Sequence, residues 1–319
     1  MTMASKNFDC SGVIPACLLP LHDDLSIDEA SYRKHLRDVA AVRGVAAITV
    51  NGHASEVSSC TFEEQEMLLD VAAAEIGDRM PLVNGVYADS AGEAVRIARM
   101  SEDKGASALL VFPSNVFILG SRPEMILDHY KRIADATDLP LIIFQFPSTT
   151  PLSYSHDVLA RLIEEVPSVR AMKDGCGDPV RHEMTIRELQ SNTRPFHVLS
   201  THSAWILPSL VSGCNGLLSG AGSTIADLHV ALYEAVKADE LAQARKVAER
   251  IYPTTHAFYG PPGVDMHNRM KEAQVLLGRL PSAAVRPPLQ KLSQSEINRI
   301  QTALQAAGIE NEGAMRLAS

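Results

Sequence analysis

A lysine closes the short apolar run SVRAMK, Ser168–Lys173, and an aspartate follows it. An ammonium group at the end of a buried strand is costly unless it is paired or gives up its proton. If it gives up the proton, the free amine can add to a ketone and form a Schiff base. The protonated imine then acts as an electron sink for a neighbouring carbon–carbon or carbon–oxygen bond. If Lys173 keeps its proton, it needs a carboxylate partner, and residue types alone leave both readings open. The lysines at Lys34, Lys104, Lys131, Lys237, Lys246 and Lys271 fall in amphipathic stretches and read as solvated helix faces.

Two further segments carry chemistry-bearing residues. NGHASEVSSCTFEEQ, from Asn51, places Gly52, His53, Ala54 and Ser55 just after an apolar run. A glycine-containing loop there lets backbone N–H groups approach an anion, and Ser55 adds a hydroxyl. His53 titrates near neutrality and is a candidate acid, base or cation, while Glu56 reads as a structural anchor. In LLSGAGSTIADL, Leu218 ends an apolar run and Gly220–Ser223 precede a helix. Such a turn can bind phosphate or simply be tight; the third glycine of the dinucleotide fingerprint is missing.

Other chemistries find little in the chain. Five scattered cysteines form no C-x-x-C pair, so a reducing cytoplasm is expected and Cys176 reads as a small packing residue. Eleven histidines show no H-E-x-x-H pattern, and no metal site is expected. A formal net charge of −9 argues against nucleic acid or an anionic membrane as the main partner. The opening MTMASKNFDC lacks the features of a secretion signal, and ASALLVFPSNVFILG is too short to span a bilayer.

These residues need a scaffold, and the chain supplies a repetitive one. Apolar runs recur as GVIPACL, VAAITV, MPLVNGV, ASALLVF, LPLIIFQF, SVRAMK, FHVLS and CNGLLS, each followed by an amphipathic stretch. Continuous rather than alternating hydrophobicity suits parallel strands covered on both faces. Thr61 with Glu64 forms a capping-box pattern; Ser90, Pro123 and Ser153 open further helices, and Gly105 suits a left-handed helix end. Repeated β-then-α units predict an α/β fold, a (β/α)8 TIM barrel over residues 1–238. Residues 239–319 predict a C-terminal helical extension packed on the barrel. In such barrels the polar residues just after each strand form the site, which selects Asn51–Glu56, Ser114, Asn115, Gln145, Ser148, Thr149, Lys173, Asp174, Thr201, His202 and Ser219–Ser223, with Lys173 alone closing a strand-like run.

With these pieces in order, the chain resembles the dihydrodipicolinate synthase and N-acetylneuraminate lyase family of class I aldolase-type barrels. The likeness runs from GVIPACLLPLHDDLSID to LSQSEINRIQTALQAAG, with NGHASEVSSCTFEEQ, DLPLIIFQFP and VRAMKDGCGD as landmarks. The resemblance implies a lyase acting on pyruvate or another 2-oxo acid through an imine on Lys173. It implies no metal or organic cofactor, and a homotetramer or homodimer. It also marks departures: Phe144 stands at the family's strand-five tyrosine, and His53 and Ala54 at its loop threonines. Asn115 stands near a tyrosine lent by a neighbouring subunit, and Thr149 at a carboxylate-binding arginine. Phenylalanine has no proton to exchange, so the expectation is an aldolase or dehydratase other than the synthase itself. A barrel that only captures a 2-oxo acid, or one that binds a phosphorylated ligand at Gly220–Ser223, is the alternative.

Overall fold

All eight apolar runs become parallel strands in the computed structural model, which describes residues 8–190 and 195–310. The first seven residues of the opening segment lie outside the described residues. The strands are β1 (Gly12–Pro15), β2 (Ile48–Val50), β3 (Leu82–Val86), β4 (Ala108–Val111), β5 (Leu141–Gln145), β6 (Val169–Asp174), β7 (His197–Ser200) and β8 (Gly216–Ser219). Their order is β1-β8-β7-β6-β5-β4-β3-β2, and parallel bridges Val13–Val45 and Ala16–Thr49 bring β1 beside β2. The result is a (β/α)8 barrel. β2 to β5 and β8 are buried at every position, which is why their sequences run apolar without alternation.

The covering helices are α1 (Glu29–Ala40), α2 (Phe62–Ile76), α3 (Ala91–Asp103), α4 (Pro123–Ala134), α5 (His156–Glu165), α6 (Pro179–Thr185), α7 (Ile206–Val211) and α8 (Gly222–Lys237). Local chemistry sets their ends. Thr61 Oγ1 accepts from Glu64 N at 3.2 Å while Thr61 N donates to Glu64 Oε2 at 2.9 Å, completing the capping box. Pro123 occupies the first turn of α4, and Gly105 lies just past α3 with φ of +85°. One helix start differs from expectation. α5 begins after Ser155, not Ser153, because Gln145 at the end of β5 holds the preceding residues. Gln145 Nε2 donates to Ser153 Oγ at 2.9 Å, and Gln145 Oε1 accepts from Tyr154 N at 3.1 Å.

Three more helices follow: α9 (Leu241–Phe258), α10 (Met266–Leu276) and α11 (Gln294–Ala306). α10 corrects the reading of Lys271 as solvated. Lys271 is fully buried; its ammonium pairs with the Glu56 carboxylate and donates to the Ala284 carbonyl at 2.8 Å. A continuous stretch of α10, from His267 to Gln274, is buried, so its charged residues must find partners inside the protein. The anchor predicted at Glu56 is thus a link between the loop after β2 and α10.

Candidate active site at the barrel mouth

Alternation along β6 decides where its last two side chains go. Asp174 meets the helix layer, where its Oδ2 lies 2.6 Å from His182 Nδ1 in α6. Lys173 therefore points to the opposite face, into the barrel. Its Nζ stands 3.9 Å from the centre of the Phe144 ring, on the residue directly across the β5–β6 ladder. Lys173 is only 5% exposed, and burial lowers its pKa to about 7. No charged neighbour contributes to that shift. The paired-lysine reading is therefore not the one the geometry supports: among the described residues no carboxylate pairs with the buried amine.

His53 begins a short 3-10 turn (His53–Ser55) after β2, with Gly52 extended before it. Its ring packs edge-on to His267, with centroids 4.8 Å apart. Surrounding protein and then the Lys173 charge hold His53 below its ordinary pKa, although the residue still exposes area to solvent. His267 is buried and held well below its ordinary value by desolvation, then by His53, Lys173 and Lys271. Two imidazoles inclined to be neutral thus share the mouth with a weakly basic amine. His267 was missed in the sequence because it arrives on α10, long after the barrel repeats end. Gly220 makes room for it: a Cβ there would stand 3.1 Å from His267 Nε2.

The remaining candidates divide. Ser55 Oγ donates to the Cys17 carbonyl at 2.7 Å, so its proton is committed within the protein. Ala54 is buried beside it in the same turn, and Leu218 is a buried β8 residue paired in register with Ile14. Gly220, Gly222 and Ser223 are buried, and Gln274 of α10 donates to the Ser223 carbonyl at 2.8 Å. That turn is closed over by α10, which leaves the phosphate reading without an accessible backbone. A surface groove lined by Asp9, His197, Asn215 and Lys237 lies at the other end of the barrel.

Behind β6 lies a second polar cluster. Asp174, Cys176 and His202 bring ligand-type atoms within 4.8 Å of one another, a grouping not foreseen from their spacing. Each has an internal partner: Asp174 Oδ1 accepts from Cys176 N at 2.8 Å, Cys176 Sγ meets the Asp178 carbonyl at 3.4 Å, and His202 stacks on Trp205. His182 Nε2 also meets Ser209 Oγ at 2.7 Å, an Asp–His–Ser alignment whose serine is fully buried. Burial opposes charge on Asp174, but hydrogen bonds from His182 and His202 hold its carboxyl below the ordinary range. Burial likewise opposes charge on His182, yet Asp174 raises it to about 9. Desolvation, then Asp174, pushes the Cys176 thiol up to about 12, consistent with a packing role. This cluster pins the end of β6 and thereby the lysine before it.

A parallel eight-stranded barrel with a buried amine at its mouth is the architecture of lysine-dependent, aldolase-type lyases. A model of the Dihydrodipicolinate synthetase family matches residues 9–307, and the chain belongs to that family. It is similar to the 4-hydroxy-tetrahydrodipicolinate synthase of Methanopyrus kandleri, 26% identical over 309 residues, covering 96% of this chain and 99% of the relative. The same-named protein of Haloarcula marismortui is 29% identical, with 95% of each chain covered. Among solved structures, dihydrodipicolinate synthase from Aquifex aeolicus matches with a TM-score of 0.85 at 23% identity, over 95% of this chain and 99% of that one. A monomeric dihydrodipicolinate synthase variant matches with a TM-score of 0.87 at 20% identity, over 95% and 98%.

Proposed function

We propose that this protein is a Schiff-base lyase that cleaves or dehydrates a 2-oxo acid through Lys173, with a reaction distinct from that of the synthases it resembles. The observation that carries the reading is the Lys173 amine, buried at the strand end without a carboxylate partner and shifted to about 7. A substantial share of it is unprotonated at neutral pH and able to attack a ketone.

The steps follow from the groups present. The amine adds to C2 of the 2-oxo acid and the carbinolamine loses water, giving a protonated imine on Nζ. The Phe144 face then has a second consequence. An aromatic face attracts a cation, so it favours the positively charged imine that withdraws electrons. In an aldol cleavage, a base removes the C4 hydroxyl proton and the C3–C4 bond breaks. Its electron pair forms the enamine, and an aldehyde leaves. Protonation at C3 and hydrolysis by water return pyruvate and the free lysine. In a dehydration, loss of a C3 proton and of hydroxide as water from the adjacent carbon uses the same imine.

His53, passing protons with His267, is the acid–base group of this reading, because Phe144 has none to offer. The backbone N–H groups of His53 and Ala54 in the Gly52–Ser55 turn hold the substrate carboxylate, the Ser55 N–H being committed to the Gly52 carbonyl at 3.1 Å. The Ser55 hydroxyl keeps the turn closed on Cys17 instead. A homo-oligomer of the kind the resemblance implies, working in the cytoplasm, completes the proposal.

Borohydride reduction with pyruvate and a panel of 2-oxo acids, followed by peptide mass analysis, tests it. The expected result is a reduced adduct on the peptide containing Lys173, absent from Lys173→Ala. No adduct with any member of the panel rejects the reading.

A further inference from the structure

Beyond the amine and the imidazoles, the mouth has a third component, an unbroken run of aromatic rings. Phe144 lies against Nζ; Phe112 packs edge-on to it with centroids 5.0 Å apart, and Tyr87 packs edge-on to Phe112 at 5.5 Å. Phe146 tilts against Phe144 at 4.7 Å on the other side. The four rings come from the C-terminal ends of β3, β4 and β5, the edge that also carries Lys173. Phe144, against the amine, and Phe112, against Phe144, are buried, whereas Phe146 and Tyr87 are partly exposed. The apolar surface therefore leads outward from the reacting nitrogen. At its outer edge Asn115 Nδ2 donates to the Tyr87 hydroxyl at 2.7 Å, fixing that ring's polar tip.

The charges nearby are spoken for. Lys271 is paired with Glu56 and has no exposed surface. Arg286 is held by Glu64 and by the Leu25 and Ser59 carbonyls, and Arg181 donates to the Tyr154 carbonyl. Among the described residues, no arginine is among the charges that act on Lys173, His53 or His267. A substrate with a second carboxylate would have to desolvate it against phenylalanine rings with no cation to receive it, which is costly. A flat apolar group in the same place would add edge and face contacts to rings already arranged that way.

We infer that the substrate is a 2-oxo acid with a single carboxylate, whose far end is an aryl or comparably flat apolar group seated against Phe112, Phe144 and Phe146. This deepens the Schiff-base reading and rests on it. For an aldol substrate, the departing aldehyde would be aromatic.

A matched pair of compounds tests the inference: 4-hydroxy-4-phenyl-2-oxobutanoate and 4-hydroxy-2-oxopentanedioate, which share the reacting carbons and differ in phenyl against carboxylate. The readout is the concentration giving half-maximal borohydride trapping on Lys173, so it does not depend on which bond the enzyme breaks. Pyruvate trapping is run beside it. The phenyl compound is expected to half-saturate at a concentration at least about tenfold lower than the carboxylate compound. Phe146→Ala, at a partly exposed position, and Phe112→Leu, which keeps the core filled, should each narrow that ratio. Equal trapping, a preference for the dicarboxylate, or a ratio unmoved by both substitutions overturns the inference while pyruvate trapping preserves the Schiff-base reading. Absence of any adduct, pyruvate included, overturns both.

Discussion

Lys173 and Phe144 are direct neighbours across the β5–β6 ladder, with Nζ 3.9 Å above the ring centre and no carboxylate acting on the amine. The phenyl ring excludes water, which disfavours the free ammonium. Its face nonetheless attracts positive charge on that nitrogen, which offsets part of the cost. One side chain thus acts in opposite directions on the same charged atom.

The first prediction concerns pH. Formation of the reducible adduct should rise about tenfold per unit as pH increases below about 7 and level off above it. An ordinary lysine would keep gaining nucleophile up to pH ~10. A stopped-flow or quenched trapping series across this range measures the midpoint, and a rise continuing past pH 9 contradicts the assignment.

Replacing Lys173 by methionine should abolish adduct formation and stabilise the fold. The folded pKa of about 7 lies below the ordinary 10.5, so between these values the unfolded chain binds more protons. Wild-type stability therefore rises with pH through that window, and its penalty is largest below pH 7. The methionine variant carries no such penalty. Its gain in melting temperature should be greatest at pH 6 and fall away as pH passes 10.5, as scanning calorimetry can show.

His53→Ala and His267→Ala should separate binding from turnover. If the two imidazoles move protons, each loss should reduce product formation by about 10²–10⁴-fold. Trapping of pyruvate on Lys173 should persist, since the amine does not need them to be nucleophilic. Retained turnover in both variants would assign the proton transfer to another group.

The Glu56–Lys271 pair should behave as a buried ion pair does. Lys271→Ala leaves a carboxylate stranded in the interior and should cost about 3–5 kcal/mol, lowering the melting temperature by roughly 10 °C. Glu56→Gln combined with Lys271→Met should recover much of that loss. A single variant as stable as wild type would mean that water reaches the pair.

The fold was legible because parallel strands covered on both faces leave an uninterrupted apolar signature, and because caps such as Thr61 and Ser90 act within one turn of chain. Lys173 was legible for a related reason: an ammonium is out of place at the end of such a run. His267, Lys271 and the Asp174–His182 pair were not. Their partners are set by how α10 and α6 pack, and an amphipathic period cannot distinguish a solvated lysine from one matched with a distant glutamate. The start of α5 escaped for a smaller reason, since Ser153 and Ser155 are equally good caps until Gln145 claims the first.

His267 belongs to a helix that follows the barrel's last strand by nearly fifty residues of chain. During synthesis the strands, His53 and Lys173 leave the ribosome first, so a nascent barrel can close around the amine before His267 exists. Under the proposed function, proton passage between His53 and His267 waits for α10 to dock, its Lys271 meeting Glu56 and its His267 settling against Gly220.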